Sequence, residues 1–482
     1  MHVRPLDGIR VLDLTNVLAG PYCSYQLMLL GAEVVKIERP GQGDLARSLG
    51  PDPSLNDEAI GASFLAQNAG KKSVELDLKD SADRTFFEEL LTGADVLLEN
   101  FRAGVLERMG YDTDRLRHLN ERLVYCSISG FGHTGPMSDV PAYDQIVQGL
   151  TGMMSVTGTP ETAPQRVGFP VCDTTGGLMA ALAVSAALLQ RERTGRGSRL
   201  DVSMLEVSLS TMGWAVSNYL VSGIPPRPLG DQNATAAPSG TFHTLDGPLN
   251  ISANQQRQFE TLCRLVGAPE LVSDPRFGER EQRKVHRAEL NAALDAALAA
   301  RPAADWEREL TAAGVPAARV LTVPQALEQP QLEHRGFVAE LDHPGRAGQP
   351  LRVVGNGVLF DGEAFAPPSR PPLLGEHNHE RRQLARRWAS AAASTSAPAP
   401  TPTPTPTSAP APAPTPASAP TSAPAPASAS APTPTPTPTP ASAPTSAPAP
   451  APAPASASAS ASAPASPSTP ASPSASEEAT AS

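Results

Sequence analysis

The chain is short of cysteine, of aromatic residues and of positive charge, and each shortage narrows what it can be. Its 482 residues include four cysteines, Cys23, Cys126, Cys172 and Cys263, far apart and without a CxxC or Cys/His ligand spacing. That argues against a disulfide framework or a zinc site. Four scattered thiols fit a reducing compartment, so a cytoplasmic protein is expected. Lys and Arg number 38 against 49 Asp and Glu, a net charge of −11. Without a basic footprint no nucleic-acid partner is expected, although a local cluster of Arg and Lys can still bind phosphates. No charged and apolar leader follows Met1: Met1-His2-Val3-Arg4-Pro5 runs straight into a strand-like segment. The most apolar window, Leu178 to Leu189, is closed by Arg191-Glu192-Arg193. A bilayer span needs about 20 residues, so this window reads as a buried core helix and no membrane partner is expected. His377-Asn378-His379-Glu380 lacks the HExxH spacing, so no metal is expected there.

Aromatics make up only 4% of the chain because its end dilutes them. After Ala389 the sequence is almost entirely Ala, Pro, Ser and Thr, which cannot bury enough apolar surface to offset chain entropy. A disordered tail is expected over 389–482. Before it, short apolar runs alternate with helix-like stretches. Ile9 to Leu14, Glu33 to Glu38, Ser73 to Asp77, Ala94 to Glu99 and Leu123 to Ile128 read as strands. Tyr22 to Leu30 and Arg84 to Leu91 read as helices between them. Strands joined by helical crossovers indicate an α/β fold with a parallel sheet. Thr174 to Gln190 and Met204 to Val221 are expected helices, with Arg199 to Ser203 a strand between them. Gly223 to Pro248 reads as a linker or ordered loop, and Leu249 to Pro330 as mainly helical. The chain is divided at these shifts into 1–222, 223–330 with its linker, 331–388, and the tail over 389–482.

Some residues suggest chemistry on their own. Asp173 sits in Val167-Gly168-Phe169-Pro170-Val171-Cys172-Asp173-Thr174-Thr175-Gly176-Gly177, just ahead of the apolar helix. Local sequence alone favours a helix N-cap; a carboxylate nucleophile kept ionised by the helix N-terminus is the functional reading, and both can hold together. Gly176 and Gly177 leave room for a bulky ligand. Ser129-Gly130-Phe131-Gly132-His133-Thr134-Gly135-Pro136 is a glycine-rich loop after a strand. Such a loop can cradle phosphate through its N–H groups, but this one matches neither the P-loop nor the dinucleotide fingerprint, and a plain turn is the favoured account. Arg39, in Glu38-Arg39-Pro40-Gly41, follows a strand of a parallel sheet, where ligands bind; a solvated surface arginine is the competing account.

Taken together, these segments resemble the class III CoA-transferases. The matching runs are Val11-Leu12-Asp13-Leu14 with Ala19-Gly20-Pro21, Gly31 to Gly41, Asn68 to Leu78, Val96 to Phe101, Ser129 to Pro136 and Pro371 to His377. The resemblance implies a Rossmann-like large domain, a smaller α/β domain, a return of the chain, and an interlocked homodimer. It implies transfer of coenzyme A from an acyl-CoA, with succinyl-CoA a candidate donor, to a small carboxylic acid, with no permanently bound cofactor. Asp173 stands at the position of the family nucleophile, expected to be ionised at pH 7 without a separate base. The CoA site implied is Leu18 and Ala19, Arg39, Leu76 to Lys79, Asn100, Phe101 and Arg102, and Arg108. Arg39, Lys79, Arg102 and Arg108 would meet its phosphates. Gly130 and Phe131 would lie near the thioester, with backbone N–H groups near Gly130 and Gly132 available to an oxyanion. Tyr143 and Gly132 fall on the substrate side. Tyr143 stands where the racemases of the family carry a histidine, which favours transfer over α-proton exchange. Gly230 to Gly240 has only its terminal glycines, unlike the formyl-CoA transferases, and Ser129 stands where some members have lysine. An acyl-CoA racemase or epimerase and a non-catalytic CoA-binding protein are the alternatives.

Overall fold

Six short segments become strands, and the four central ones, rich in Val, Leu and Ile, find cover on both faces. The six are β1 (Arg10–Asp13), β2 (Glu33–Glu38), β3 (Lys72–Glu75), β4 (Val96–Glu99), β5 (Val124–Ser129) and β6 (Arg199–Ser203). All pairings are parallel and the order is β3-β2-β1-β4-β5-β6. The structure is a computed structural model and describes residues 3–395. The start of the expected disordered tail, 389–395, is instead helical, and from residue 396 on the tail lies outside the described residues. Between and after the strands run α1 (Ala19–Leu29), α2 (Ser81–Gly93), α3 (Asp144–Leu150), α4 (Val171–Thr194) and α5 (Met204–Thr211).

Alternate strand residues feed two separate cores. Val11, Val34, Val96, Leu98, Val124, Cys126 and Ile128 pack with α1 and α4 on one face. Leu12, Val35, Val74, Leu97 and Tyr125 pack with Phe87, Leu90 and Leu91 of α2 on the other. A sheet covered on both faces needs largely apolar strands rather than alternating ones, as β1, β2, β4 and β5 are. The two helices on the first face approach closely because Gly177 has no side chain: a Cβ there would lie 2.3 Å from the Ala19 carbonyl oxygen.

The sequence-based helix Met204 to Val221 is instead two, α5 and α6 (Trp214–Ser222), broken at Gly213, whose φ of +53° ends the first. The stretch 223–248, expected to be linker or loop, contains a strand. β7 (Ser239–His243) pairs antiparallel with β8 (Pro248–Ser252), which pairs with β9 (Ala317–Arg319). Only Phe242 is strongly apolar in β7, and its strand conformation comes from the pairing rather than from propensity. This sheet shares a third core with α7 (Gln256–Leu265), α8 (Arg287–Leu298) and α9 (Ala303–Ala312). The basic stretch expected to end the folded part is the start of α10 (Arg381–Thr395). Its Leu384, Ala385 and Trp388 insert beside α2 in the second core. Spacing by three and four residues buries that apolar stripe and leaves Arg382 and Arg386 exposed.

α4 also departs from expectation. Cys172, Gly176, Ala180, Val184, Ala187 and Leu188 are buried, but Leu178, Leu182 and Leu189 are more than half exposed along its other side. It is long and apolar enough to cross a membrane by length and composition alone. Its small-residue face is nonetheless committed to α1 and the sheet.

Because all six strands are parallel, their C-terminal ends share one edge. Strand order reverses between β1 and β4, and chain leaving these two neighbours diverges. This is the switch point at which open α/β sheets form a crevice.

Candidate active site

A cleft of about 190 Å³ opens at that switch point. Its walls are Asn16 to Ala19 after β1, Asn100 to Ala103 after β4, Gly130 and Phe131 after β5, Tyr143 at the start of α3, and Asp173 in the first turn of α4.

The loop after β1 is held from several sides. Asp13 accepts from the Thr15 N–H at 2.9 Å and its hydroxyl at 2.5 Å. The buried Lys36 ammonium donates to the Thr15 carbonyl at 2.6 Å. Asp44 accepts the Val17 N–H at 2.9 Å. The Asn100 amide accepts the Asn16 N–H and donates to the Asn16 carbonyl, both at 2.8 Å. Val17 sits at φ +68°, a left-handed conformation that a β-branched residue adopts only when its surroundings enforce it. The loop after β4 is fixed by buried Glu99, which accepts the Phe101 N–H at 2.6 Å and the Tyr125 hydroxyl at 3.0 Å. The N–H groups of Gly130 and Phe131 donate to no acceptor among the described residues.

Asp173 is not the N-cap of α4; Pro170 occupies that position. The capping carboxylate is Asp144, from α3. It accepts the Cys172 N–H at 2.7 Å and the Asp173 N–H at 3.2 Å, satisfying two of the orphan donors of the helix. Gln148, one turn on, donates to the other Asp144 oxygen at 2.6 Å and accepts the Val167 N–H at 2.9 Å. Asp173 is partly buried, and burial raises its pKa from 3.8 to about 7. The Asp144 carboxylate pushes in the same direction, and Arg166 opposes both. The expectation of an aspartate fully ionised at pH 7 is therefore corrected: a low-dielectric wall and a like charge outweigh the helix N-terminus. If the carboxylate is the reacting species, activity rises with pH through a limb near 7. In Asp144→Asn the side chain keeps an oxygen for the two N–H groups but loses its charge. The limb in kcat/KM against pH should then move to lower pH without returning to the ordinary range, because burial, the larger cause, remains.

Of the residues expected at the site, the cleft gathers Asp173, Leu18, Ala19, Asn100, Phe101, Arg102, Gly130, Phe131 and Tyr143. The others lie outside its wall. Arg39 follows β2 and Lys79 lies beyond β3; both are exposed. Arg108 is exposed at the end of a short helix, Val105–Arg108. The Leu76 side chain is buried in the second core and offers a ligand nothing. The Gly132 N–H is already given to the Ser129 hydroxyl at 2.9 Å, so it is not free for an oxyanion. Asn100 lines the wall, but both ends of its amide are occupied by Asn16. Sequence reasoning missed Asp144, Gln148 and Arg166. Asp144 and Gln148 stand one turn apart on a helix, but the partners that give them a role lie 19 to 29 residues away.

Comparison with known proteins agrees with this architecture. The family model described as CoA-transferase family III matches residues 6–378. An acetyl-CoA:oxalate CoA-transferase of Acetobacter aceti is 41% identical over 73% of this chain and 90% of its own length. A succinyl-CoA:glutarate CoA-transferase of Mus musculus is 36% identical over 78% and 85%. The crystal structure of a CAIB/BAIF family protein from Brucella suis superposes with a TM-score of 0.71 at 34% identity, over 80% of this chain and all of that one. A parallel sheet with a carboxylate at its switch point, and a match spanning nearly all the described residues, place this chain in CoA-transferase family III.

Proposed function

We propose that the chain moves coenzyme A from an acyl-CoA to a free carboxylic acid by covalent catalysis at Asp173. The observation that carries this reading is a partly buried carboxylate in a cleft also lined by Gly130 and Phe131, whose N–H groups have no acceptor among the described residues. The Asp173 oxygen attacks the thioester carbonyl, CoA leaves as thiolate, and an acyl-aspartyl anhydride forms. The thiolate attacks the aspartyl carbonyl, releasing the donor acid and leaving an aspartyl-CoA thioester. The acceptor carboxylate then runs the two steps in reverse. The free N–H groups match the oxygen on which charge develops at each tetrahedral stage. Arg39, Lys79, Arg102 and Arg108 stand as exposed cations for the CoA phosphates, and the site would work in the cytoplasm within a Rossmann-like domain.

A raised Asp173 pKa also suits a proton-transfer group, which keeps α-proton exchange as a second reading. Incubation with succinyl-CoA and other acyl-CoAs, quenching with hydroxylamine or borohydride, and intact-mass measurement decide between them. A trapped adduct at Asp173 supports transfer; no adduct, with deuterium washed into the α-carbon, supports the racemase.

We further propose that the protein works as a homodimer. Leu178, Leu182 and Leu189 on α4, with Trp214, Leu220 and Val221 on α6, are all more than half exposed. Isolated apolar residues are ordinary on a surface, but a run along two helices marks an interaction face. Sedimentation at micromolar concentration should give twice the chain mass, and a monomer would remove the proposal.

A further inference from the structure

We propose that Arg166 determines acceptor choice, taking the second carboxylate of a dicarboxylic acid whose first carboxylate reacts at Asp173. This deepens the transfer reading above and rests on it.

Arg166 approaches Asp144 at 3.7 Å, with its side chain 45% exposed. It makes no hydrogen bond among the described residues, so its planar fork of donors is uncommitted. Asp144 does not need it. The N–H groups of Cys172 and Asp173 and the Gln148 amide already satisfy that carboxylate, and their distances of 2.7, 3.2 and 2.6 Å are those of formed hydrogen bonds. Most buried arginines of the chain are occupied: Arg47 by Glu38, and Arg283 by the Ala237 and Phe277 carbonyls.

The position of Arg166 is also prepared. The backbone on either side is pinned, Gln165 N–H to the Met154 carbonyl at 3.2 Å and Val167 N–H to Gln148 at 2.9 Å. The guanidinium therefore stands beside the carboxylate that caps the first turn of α4, ion-paired with it at 3.7 Å but without a hydrogen bond among the described residues. A monocarboxylic acceptor spends its one charge at the nucleophile and leaves Arg166 unused. A dicarboxylic acceptor brings a second carboxylate, for which a guanidinium fork is the matching partner. Pairing with it also draws positive charge off Asp144, whose own hydrogen bonds stay in place.

The experiment uses the full chain, acetyl-CoA as donor, and acceptors matched in length: glutarate against valerate, succinate against butyrate. Wild type, Arg166→Gln and Arg166→Lys are compared at about pH 8.5, above the Asp173 limb, so that a change in nucleophile ionisation does not enter. Adduct formation at Asp173 from acetyl-CoA, which has no second carboxylate, is followed in parallel. In Arg166→Gln, kcat/KM for the dicarboxylates should fall roughly 10–100-fold, mainly through KM. Monocarboxylates should change by less than about threefold, adduct formation should be unaltered, and Arg166→Lys should recover part of the loss. Equal loss for both acceptor classes, or dicarboxylate preference unchanged in Arg166→Gln, overturns the proposal while leaving covalent transfer intact. Absence of an adduct in wild type from acetyl-CoA, succinyl-CoA and the other acyl-CoAs alike removes the transfer reading, and this assignment with it.

Discussion

Asp173→Asn should lose CoA transfer by about a thousandfold or more and at the same time become more stable above neutral pH. The first effect follows from chemistry: an amide oxygen does not form the anhydride, and no other carboxylate replaces it, since Asp144 is consumed by capping α4. The second follows from linkage. Folding raises the Asp173 pKa from 3.8 to about 7, chiefly by burial and then by the Asp144 charge. Between those values the native state holds the proton more tightly than the unfolded chain, so stability falls as pH rises through that window. The full penalty is present above about pH 7 and absent below about pH 4. Three pH units correspond to about 4 kcal/mol; water at the cleft mouth screens part of it, giving about 2–4 kcal/mol. Asparagine, uncharged throughout, escapes the penalty. Thermal unfolding should show Tm raised by about 2–5 °C at pH 8.5, with the gain vanishing at pH 4. A variant that is inactive but no more stable at pH 8.5 would show that the site does not strain its nucleophile. A cost of this kind is expected where function opposes stability.

The parts of this site that sequence disclosed were those whose signal is local. β1, β2 and β5 announce themselves as apolar runs, and parallel strands send Leu18, Ala19, Phe101 and Gly130 to one edge whatever else the chain does. The resemblance to a family then named Asp173. What stayed hidden depends on partners distant in sequence. Asp144 followed by Gln148 looks like any solvated helix face, yet Asp144 is nearly fully buried because the first turn of α4 lies upon it. Lys36 in Glu33-Val34-Val35-Lys36-Ile37-Glu38 looks like the polar tooth of a half-buried strand. The sheet covers both faces, so its charge is entirely enclosed. Of the four cations that the resemblance assigned to phosphates, Arg39, Lys79, Arg102 and Arg108, only Arg102 lines the cleft wall. Pattern gives the edge of the sheet to which a residue belongs; which side chains touch across it is settled by packing.

That enclosed lysine supports the second large prediction. Lys36 is fully buried beside Asp44, 3.0 Å away, and donates to the Thr15 carbonyl. Burial alone would push its pKa down, but Asp13, Asp44 and Glu38 outweigh it and the net direction is upward, so the ammonium stays charged. Asp44 uses one oxygen for the N–H groups of Val17 and Ala46. Its other oxygen lies 3.0 Å from the Lys36 ammonium. Lys36→Met therefore leaves a buried carboxylate without its counter-charge, at a cost of about 3–5 kcal/mol. It also frees the Thr15 carbonyl, and the loop that keeps Val17 at positive φ loses an anchor. Leu18 and Ala19 of the cleft wall move with it, so KM for acyl-CoA should rise roughly tenfold or more. The double variant Lys36→Met, Asp44→Asn separates charge from packing. The asparagine side chain keeps an oxygen for Val17 and Ala46 but carries no charge, and the double variant should regain more than half the lost stability. If urea unfolding finds the double variant no more stable than Lys36→Met, the loss came from cavity and shape rather than from an unpaired charge. If stability returns while KM stays high, the Thr15 anchor, and not the ion pair, is what holds the loop in its working position.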